Sequence, residues 1–276
     1  MCRICQTVEV SQNKVIHRES QSANNIFNQR SLEHDYRTLM AALRPGLRVL
    51  DIGCGTGAIT KDIANRVGPT GHVVGIDNTA SFVTEGQNLY SDIQNLELIH
   101  CDVLDFDSEE KFDLIVSART FQWISTIGKA VDKIKMLLKP NGQISILDYN
   151  HEMIDWTPKI PKSMQNFYNM FLMWRKDAGM NNRIGFDIAD ILEEHGFDQI
   201  EVFNADEHYE SSTPSHKTKI KIWSNVANSK QMVDEGYISD ENRLEAIEDY
   251  NNWADNEAQS MTLKLREVRA VLNINR

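Results

Sequence analysis

Residues 48–57, Arg48-Val49-Leu50-Asp51-Ile52-Gly53-Cys54-Gly55-Thr56-Gly57, decide how the chain folds. Val49, Leu50 and Ile52 make a short apolar run that reads as a buried strand. Three glycines at alternate positions break it, and Ile59, Ile63 and Val67 then recur at the four-residue spacing of a helix face. Strand, glycine turn and helix in that order build a loop that a ligand can approach closely, because glycine takes positive φ without Cβ strain.

Working outward, the same alternation repeats. His72–Asp77 (HVVGID), Leu96–Asp102 (LELIHCD), Phe112–Ala118 (FDLIVSA) and Gln143–Tyr149 (QISILDY) read as further buried strands. Helices are expected between them over Asn78–Asp92 and through Ile127, Ala130, Val131, Ile134, Leu137 and Leu138. Near-continuous apolar strands alternating with helices imply a parallel sheet covered on both faces, a doubly wound α/β architecture. Right-handed crossovers then bring the C-terminal ends of the strands to one edge, so Asp51, Asp77, Asp102 and the Ser117-Ala118-Arg119 corner share a crevice.

Beyond Tyr149 the alternation stops. Asn150–Asn182 is too long for a plain connection and holds a helix with Met164, Phe167, Tyr168 and Phe171 on one face, followed by Trp174. Either it packs over the sheet, or it forms an adaptable apolar lid on a substrate; leaving from the crevice edge favours the lid. A helix over Phe186–His195 and a sixth strand over Gln199–Phe203 follow, then a mostly helical stretch from Pro214 to about Asn256. In the last segment Met261, Leu263 and Leu265 alternate, and Val268, Ala270 and Leu272 alternate one step out of phase, as in an antiparallel closing strand with a bulge. At the other end, a helix is expected over Ala23–Leu43 with Leu32, Tyr36, Leu39, Met40 and Leu43 on one face. The resulting organisation is a loose arm over residues 1–22 and a single domain over residues 23–276, with helical insertions at about 150–182 and 214–256.

Composition bounds the partners. The 276 residues carry a formal charge of -11, which weighs against a nucleic-acid substrate, and Lys217, Lys219 and Lys221 read as a solvated face. No apolar run has membrane-spanning length and the N-terminus lacks a leader's apolar stretch, so a cytoplasmic protein without membrane association is expected, as monomer or homodimer. Cys2 and Cys5 form a lone CxxC with no second pair and no histidine at ligand spacing, and no metal site is expected. Cys54 reads as a space-filler within the loop.

Three ligands compete for the glycine loop. A triphosphate loop needs Gly-Lys-Ser/Thr, and Gly57 is followed by Ala58 and Ile59. A dinucleotide loop spaces its glycines GxGxxG around a pyrophosphate; here the spacing is GxGxG, and Asp51, two residues before the first glycine, would repel a pyrophosphate and suit an ammonium group. A single acid ending a strand is ordinarily a cap or turn residue, but three converge here.

VLDIGCGTG (Val49–Gly57) resembles the first motif of the class I S-adenosylmethionine-dependent methyltransferases. The likeness extends through Asp77, Asp102, FDLIVSARTFQWI (Phe112–Ile124) and LKPNGQISILDY (Leu138–Tyr149), over roughly Leu39–Phe203. The resemblance implies a Rossmann-like, mostly parallel seven-stranded sheet with an antiparallel closing strand, and S-adenosyl-L-methionine as cofactor. It sets Asp51, Gly53, Cys54 and Gly55 at the methionine end, Asp77 on the ribose hydroxyls, Asn78 beside the adenine, Asp102 and Val103 at the adenine amino group, and the Ser117 carbonyl on the ammonium. Arg30 could reach the cofactor carboxylate if the N-terminal segment folds over the crevice. The Ser117-Ala118-Arg119-Thr120 corner lacks the Asn/Asp-Pro-Pro-aromatic signature of amino-group methyltransferases of DNA or glutamine. The sequence therefore looks most like the small-molecule branch, akin to trans-aconitate and quinone-precursor methyltransferases.

Methyl transfer from a sulfonium needs alignment more than a dedicated catalytic group. Candidates are Arg119, which could pair a substrate carboxylate, Tyr149, and His151, a possible base near neutral pH. Arg119, Gln122, Trp123 and Trp174 are expected to line the substrate pocket. A cofactor-binding partner subunit without transfer activity is the alternative, and an aminopropyl transferase lacks its acidic pocket.

Overall fold

In the computed structural model, which describes Lys14, Ile16 and residues 27–273, one mixed sheet organises the chain. The strands are β1 (Arg48–Ile52), β2 (His72–Asp77), β3 (Leu96–His100), β4 (Phe112–Ala118), β5 (Leu138–Thr157), β6 (Phe197–Asn204), β7 (Glu207–Glu210) and β8 (Ser260–Leu272). Their order is β3-β2-β1-β4-β5-β8-β6, with β7 pairing β8 off that path. Strands β1 to β5 pair in parallel, and β8 runs antiparallel to β5, β6 and β7. The sheet thus has the expected parallel body and antiparallel closing strand; the short β7 makes eight strands rather than seven.

Helices α2 (Ala58–Val67), α3 (Ala80–Leu89), α4 (Ile127–Leu137) and α6 (Ile184–Glu194) cover the sheet. Two apolar clusters result. One gathers Val49, Ile63, Val73 and Leu114 with α5 (Lys162–Asp177) and the C-terminal helices; the other gathers Leu50, Ile76, Ile115, Ile134 and Ile188. The C-terminal helices are α7 (Pro214–Ile220), α8 (Ile222–Ala227), α9 (Gln231–Asp234) and α10 (Asp240–Asn256). Lys217 and Lys219 are exposed on α7, and Lys221 pairs with Asp255 at 2.7 Å.

The phase step in β8 has a different cause from the bulge expected there. Register against β5 is unbroken from Asn150↔Lys264 to Gln143↔Val271, and the irregularities lie in β5 and β6. Met261, Leu263 and Leu265 face the first cluster, whereas Val268, Ala270 and Leu272 face the second. The strand changes which core it covers, and its apolar residues change face accordingly.

Two other expectations are corrected. The fifth strand continues to Thr157 because β8 pairs along it as far as Thr157↔Ser260, so the insertion begins after the strand rather than at Asn150. Of the helix expected over Ala23–Leu43, residues 23–26 lie outside the described residues, and the part from Leu32 on is broken into α1 (Leu32–Asp35) and a 3-10 turn (Arg37–Ala41). Tyr36, at the break, is buried and donates to the Ser145 carbonyl at 2.9 Å, which draws the chain onto the sheet. Ser145 Oγ donates to buried Glu267 at 2.7 Å, and Arg269 binds Glu267 and the Thr38 carbonyl. Cys2 and Cys5 lie outside the described residues, as does most of the arm; where it is described, Lys14 pairs with Glu235 and stands 4.8 Å from the Trp174 ring. Among the described residues no helix is long and apolar enough to cross a membrane.

Candidate functional site

The glycine loop closes the C-terminal end of β1 against β2. The Gly53 and Cys54 amides donate to the Ile76 carbonyl at 2.8 and 3.0 Å, and the Gly55 amide donates to Asp77 Oδ2 at 2.9 Å. Gly53, Gly55 and Gly57 all have positive φ. At Gly53 a Cβ would meet Thr120 Oγ1 at 2.0 Å, so glycine is required both by backbone and by space. Cys54 packs against Gly75, and burial, followed by Asp77 and Asp51, pushes its thiol well above the ordinary value; it is a space-filler.

Asp51 is buried at the loop's start and accepts from Thr60 Oγ1 at 2.6 Å. Burial raises its carboxyl from 3.8 to about 6, against the Thr60 hydrogen bond, with a smaller push from Asp77. Such an acid is suited to a cation that arrives with its ligand. Thr60, in the first turn of α2, is a partner that sequence reasoning missed.

Asp77 holds both sides of its turn, accepting from the Gly55 amide through Oδ2 and from the Thr79 amide through Oδ1 at 2.9 Å. Asp102 Oδ1 accepts from the Leu104 amide at 2.9 Å, a turn role, with Val103 buried beside it. Asn78 is exposed, its carbonyl 3.2 Å from His100 Nε2. Ser117 donates its hydroxyl to the Ile52 carbonyl, and its own carbonyl lies 3.4 Å from the Tyr36 hydroxyl, inside the buried network rather than free at the crevice.

A cavity of about 20 Å³ lies over the loop, lined by Phe27, Arg30, Asp51, Gly53, Cys54, Gly55, Ala58, Ile59 and Ala118. The N-terminal segment therefore does fold over the crevice. Phe27 lies against Gly55 and packs on Phe82 at 4.8 Å between ring centres. Arg30 lies 4.9 Å from the Phe27 ring, and burial, then the nearby Arg119, lowers its guanidinium below the ordinary value. Arg30 and Asp51 thus offer opposite charges to one narrow space. A larger open groove of about 590 Å³ between α5 and α10 contains none of these residues.

On the far side of the β4 corner, Arg119 adopts φ 59° and is buried. It is paired with Glu207 and donates to the Tyr149 hydroxyl at 2.9 Å, so a protein carboxylate already holds the group expected to take a substrate carboxylate. Burial moves the Tyr149 hydroxyl up to about 12, the Arg119 charge opposing it. Gln122 donates to the Arg119 carbonyl at 3.0 Å and its Oε1 stands 2.6 Å from His151 Nε2. Arg175, fully buried on α5, donates to the Gln122 carbonyl at 2.7 Å and lies 4.6 Å from the Trp123 ring. Trp174 is not part of this group: its indole donates to Glu235 at 2.7 Å, and Phe171 stands between it and His151. The structure thus joins Arg119, Gln122, Trp123, Tyr149 and His151, and adds Arg175, Glu207 and Trp223, whose separation in sequence left no local signal.

A family model described as a methyltransferase domain matches residues 43–196, more than half of the chain. The chain belongs to the methyltransferase-domain family. Among curated methyltransferases it is similar to malonyl-[acyl-carrier protein] O-methyltransferase of Acetivibrio thermocellus, with 30% identity over 105 residues, 38% of this chain and 36% of that one. It is also similar to demethylmenaquinone methyltransferase of Staphylococcus aureus, with 29% identity over 134 residues, 48% of this chain and 53% of the relative. The chain thus spans about half or less of the length of these methyltransferases. A solved S-adenosylmethionine-dependent methyltransferase from Aquifex aeolicus superposes with a TM-score of 0.53 at 17% identity, covering 91% of this chain and 97% of the other, and confirms the fold.

S-adenosyl-L-methionine, the cofactor of this class, is a zwitterionic amino acid joined through a sulfonium to adenosine. The residues present match its charges: a buried carboxylate and a guanidinium of opposite sign line one narrow cavity, with glycines beside them.

Proposed function

We propose that the protein is an S-adenosylmethionine-dependent methyltransferase acting on a small molecule. The observation that carries this reading is that Arg30 and Asp51, of opposite charge, both line the cavity over the glycine loop. In it, Asp51 takes the cofactor's ammonium and Arg30 its carboxylate, while Gly53 and Gly55 let the backbone approach. Asp77 accepts from the ribose hydroxyls with the lone pairs left by Gly55 and Thr79; Asn78, Asp102 and Val103 border the adenine. The bound cofactor supplies a methyl group on a sulfonium, already activated for in-line displacement. The chain's own residues then mainly align the acceptor and exclude water. Arg119, Gln122, Trp123, Tyr149 and His151 form the acceptor side of the corner.

Relatives that match the chain carry different acceptors in their names, an acyl-carrier-bound acid in one and a quinone precursor in the other. Donor binding is therefore the shared part, and the acceptor is set by the cluster around Tyr149 and His151. The test is calorimetric titration with S-adenosylmethionine, followed by label transfer from the methyl-labelled cofactor into a metabolite extract. Binding that disappears in Asp77→Ala, together with a labelled small product, is expected. Wild-type protein that binds no cofactor overturns the reading; binding without any labelled product makes it a cofactor-binding partner instead.

A further inference from the structure

His151 and Trp223 each bury a polar atom, Nδ1 and Nε1, that has no hydrogen-bond partner among the described residues. Both side chains are closed to solvent, 6% and 4% exposed, and their rings meet edge to face at 6.1 Å. The two orphans are complementary in kind. Gln122 turns its Oε1 to His151 because its Nε2 donates to the Arg119 carbonyl. An amide oxygen only accepts, so the imidazole carries its proton on Nε2 and leaves a lone pair on Nδ1. The Trp223 indole only donates.

The surrounding walls are aromatic. Tyr149 stacks on the imidazole at 5.2 Å, Phe171 meets it edge-on at 6.0 Å, and Tyr168 lies 4.6 Å from Trp223. Burial, aided by the Arg175 charge, lowers the His151 pKa well below 6.5, so the ring is neutral with Nδ1 open. A buried donor and a buried acceptor thus stand unmatched on two rings in edge-to-face contact, and each unmade bond costs stability. A hydroxyl satisfies both, giving its proton to Nδ1 and accepting from the indole N–H. A carboxylate has no proton to give, and an ammonium has no lone pair to receive one. The corner also touches the donor cleft, because Thr120 packs on Gly53, two residues before Gln122.

We propose that His151 is the general base of the methyl transfer and that His151 with Trp223 recognises a hydroxyl on a flat aromatic acceptor. This rests on the donor reading given under Proposed function. The acceptor oxygen forms a bond to the methyl carbon as the sulfur–carbon bond breaks, and the sulfur keeps that electron pair. The hydroxyl proton passes to Nδ1, so the positive charge moves from sulfonium to imidazolium and the products are a thioether and a methyl ether. A weak base suffices, because an oxygen gaining a third bond is far more acidic than the hydroxyl it came from. Admission of the ring requires Trp223, on the short helix α8, to move away from His151.

The experiment uses full-length protein carrying ¹⁵N-histidine, saturated with S-adenosylhomocysteine, with 2-naphthol as probe. The Nδ1 resonance assigned to His151, identified by its absence in His151→Phe, is expected to shift on adding 2-naphthol and to stay in place with 2-methoxynaphthalene, which has no proton to give. With methyl-labelled cofactor, label is expected on the naphthol oxygen, falling about 100-fold or more in His151→Phe at unchanged cofactor affinity, while Trp223→Phe raises KM. An Nδ1 unmoved by 2-naphthol, or transfer undiminished in His151→Phe, overturns the proposal. Failure of wild-type protein to bind S-adenosylhomocysteine overturns the donor reading instead.

Discussion

The two sides of the β4 corner are built differently. On the donor side, the functional groups are fixed within one strand–helix–strand unit: Asp51 by Thr60, and Asp77 by Thr79 and, 22 residues before it, Gly55. On the acceptor side they are fixed across the chain, Arg119 by Glu207, Gln122 by Arg175, and His151 between Gln122 and the Trp223 ring. A local construction keeps its geometry while the remainder diverges. A construction from distant elements changes with any one of them, which is how one donor domain can serve different acceptors.

The sharpest way to break this contrast is at Asp77. Asp77→Ala removes the acceptor of two loop amides together with the group assigned to the ribose, and is expected to weaken S-adenosylmethionine binding by about 100-fold or more, ~3 kcal/mol in calorimetry. An affinity within a few-fold of wild type would mean that the loop does not depend on its local partners. Next comes Gly53→Ala. With φ at 75° and a Cβ that would lie 2.0 Å from Thr120 Oγ1, it is expected to cost about 3 kcal/mol of stability and to weaken the cofactor, since the corner must shift. A thermal melt that matches wild type would contradict the close packing of the two sides.

Asp51 gives a prediction with two signs. Its carboxyl rises from 3.8 to about 6 on folding, so the folded protein holds the proton more tightly than the unfolded chain. Stability of the ligand-free protein therefore falls as pH rises between those two values, and the cost persists above them. Asp51→Asn removes that cost and is expected to raise stability near neutral pH by roughly 2–3 kcal/mol, while cofactor affinity drops. In wild type, affinity is expected to fall as pH drops through about 6, with proton release on binding measurable by calorimetry in buffers of different ionisation enthalpy. A variant that is both less stable and no weaker in binding would remove Asp51 from the donor site.

The smallest effect is assigned to Trp174, whose indole bonds to Glu235 away from the acceptor cluster. Trp174→Phe is expected to cost about 1–2 kcal/mol in denaturant unfolding and to leave methyl transfer unchanged. Loss of transfer without loss of stability would return it to the pocket.

How much of this was legible follows the same division. The loop, strands β1 to β4 as segments of the chain and the acids Asp51, Asp77 and Asp102 at the first three could be read because each is a short-range pattern, a run of apolar residues closed by glycine or aspartate. Asp102 was expected at the adenine amino group, and in the structure its Oδ1 accepts from the Leu104 amide, as an acid after a strand ordinarily does. The closing strand was legible as a strand, but its phase step was not: only the structure shows Val268 and Leu265 facing two different cores. The continuous N-terminal helix failed because periodicity carries no trace of the Tyr36 hydroxyl reaching Ser145 in the sheet. That Trp174 lies away from the corner was not legible for a related reason, since an apolar face on α5 does not say which of its buried rings meets His151 and which packs toward Glu235. Arg119 was located correctly at the corner, yet its carboxylate partner comes from β7, an element too short to announce itself.

The central claim is that Arg30 and Asp51 receive the amino-acid end of the cofactor. It is tested most directly by titrating the protein with S-adenosylhomocysteine and with 5′-methylthioadenosine, which keeps the adenosine and lacks the ammonium and carboxylate. The account predicts that S-adenosylhomocysteine binds at least about 100-fold more tightly, roughly 3 kcal/mol from two charged contacts, and that Arg30→Ala and Asp51→Asn each narrow the gap. Equal affinities for the two ligands would contradict it.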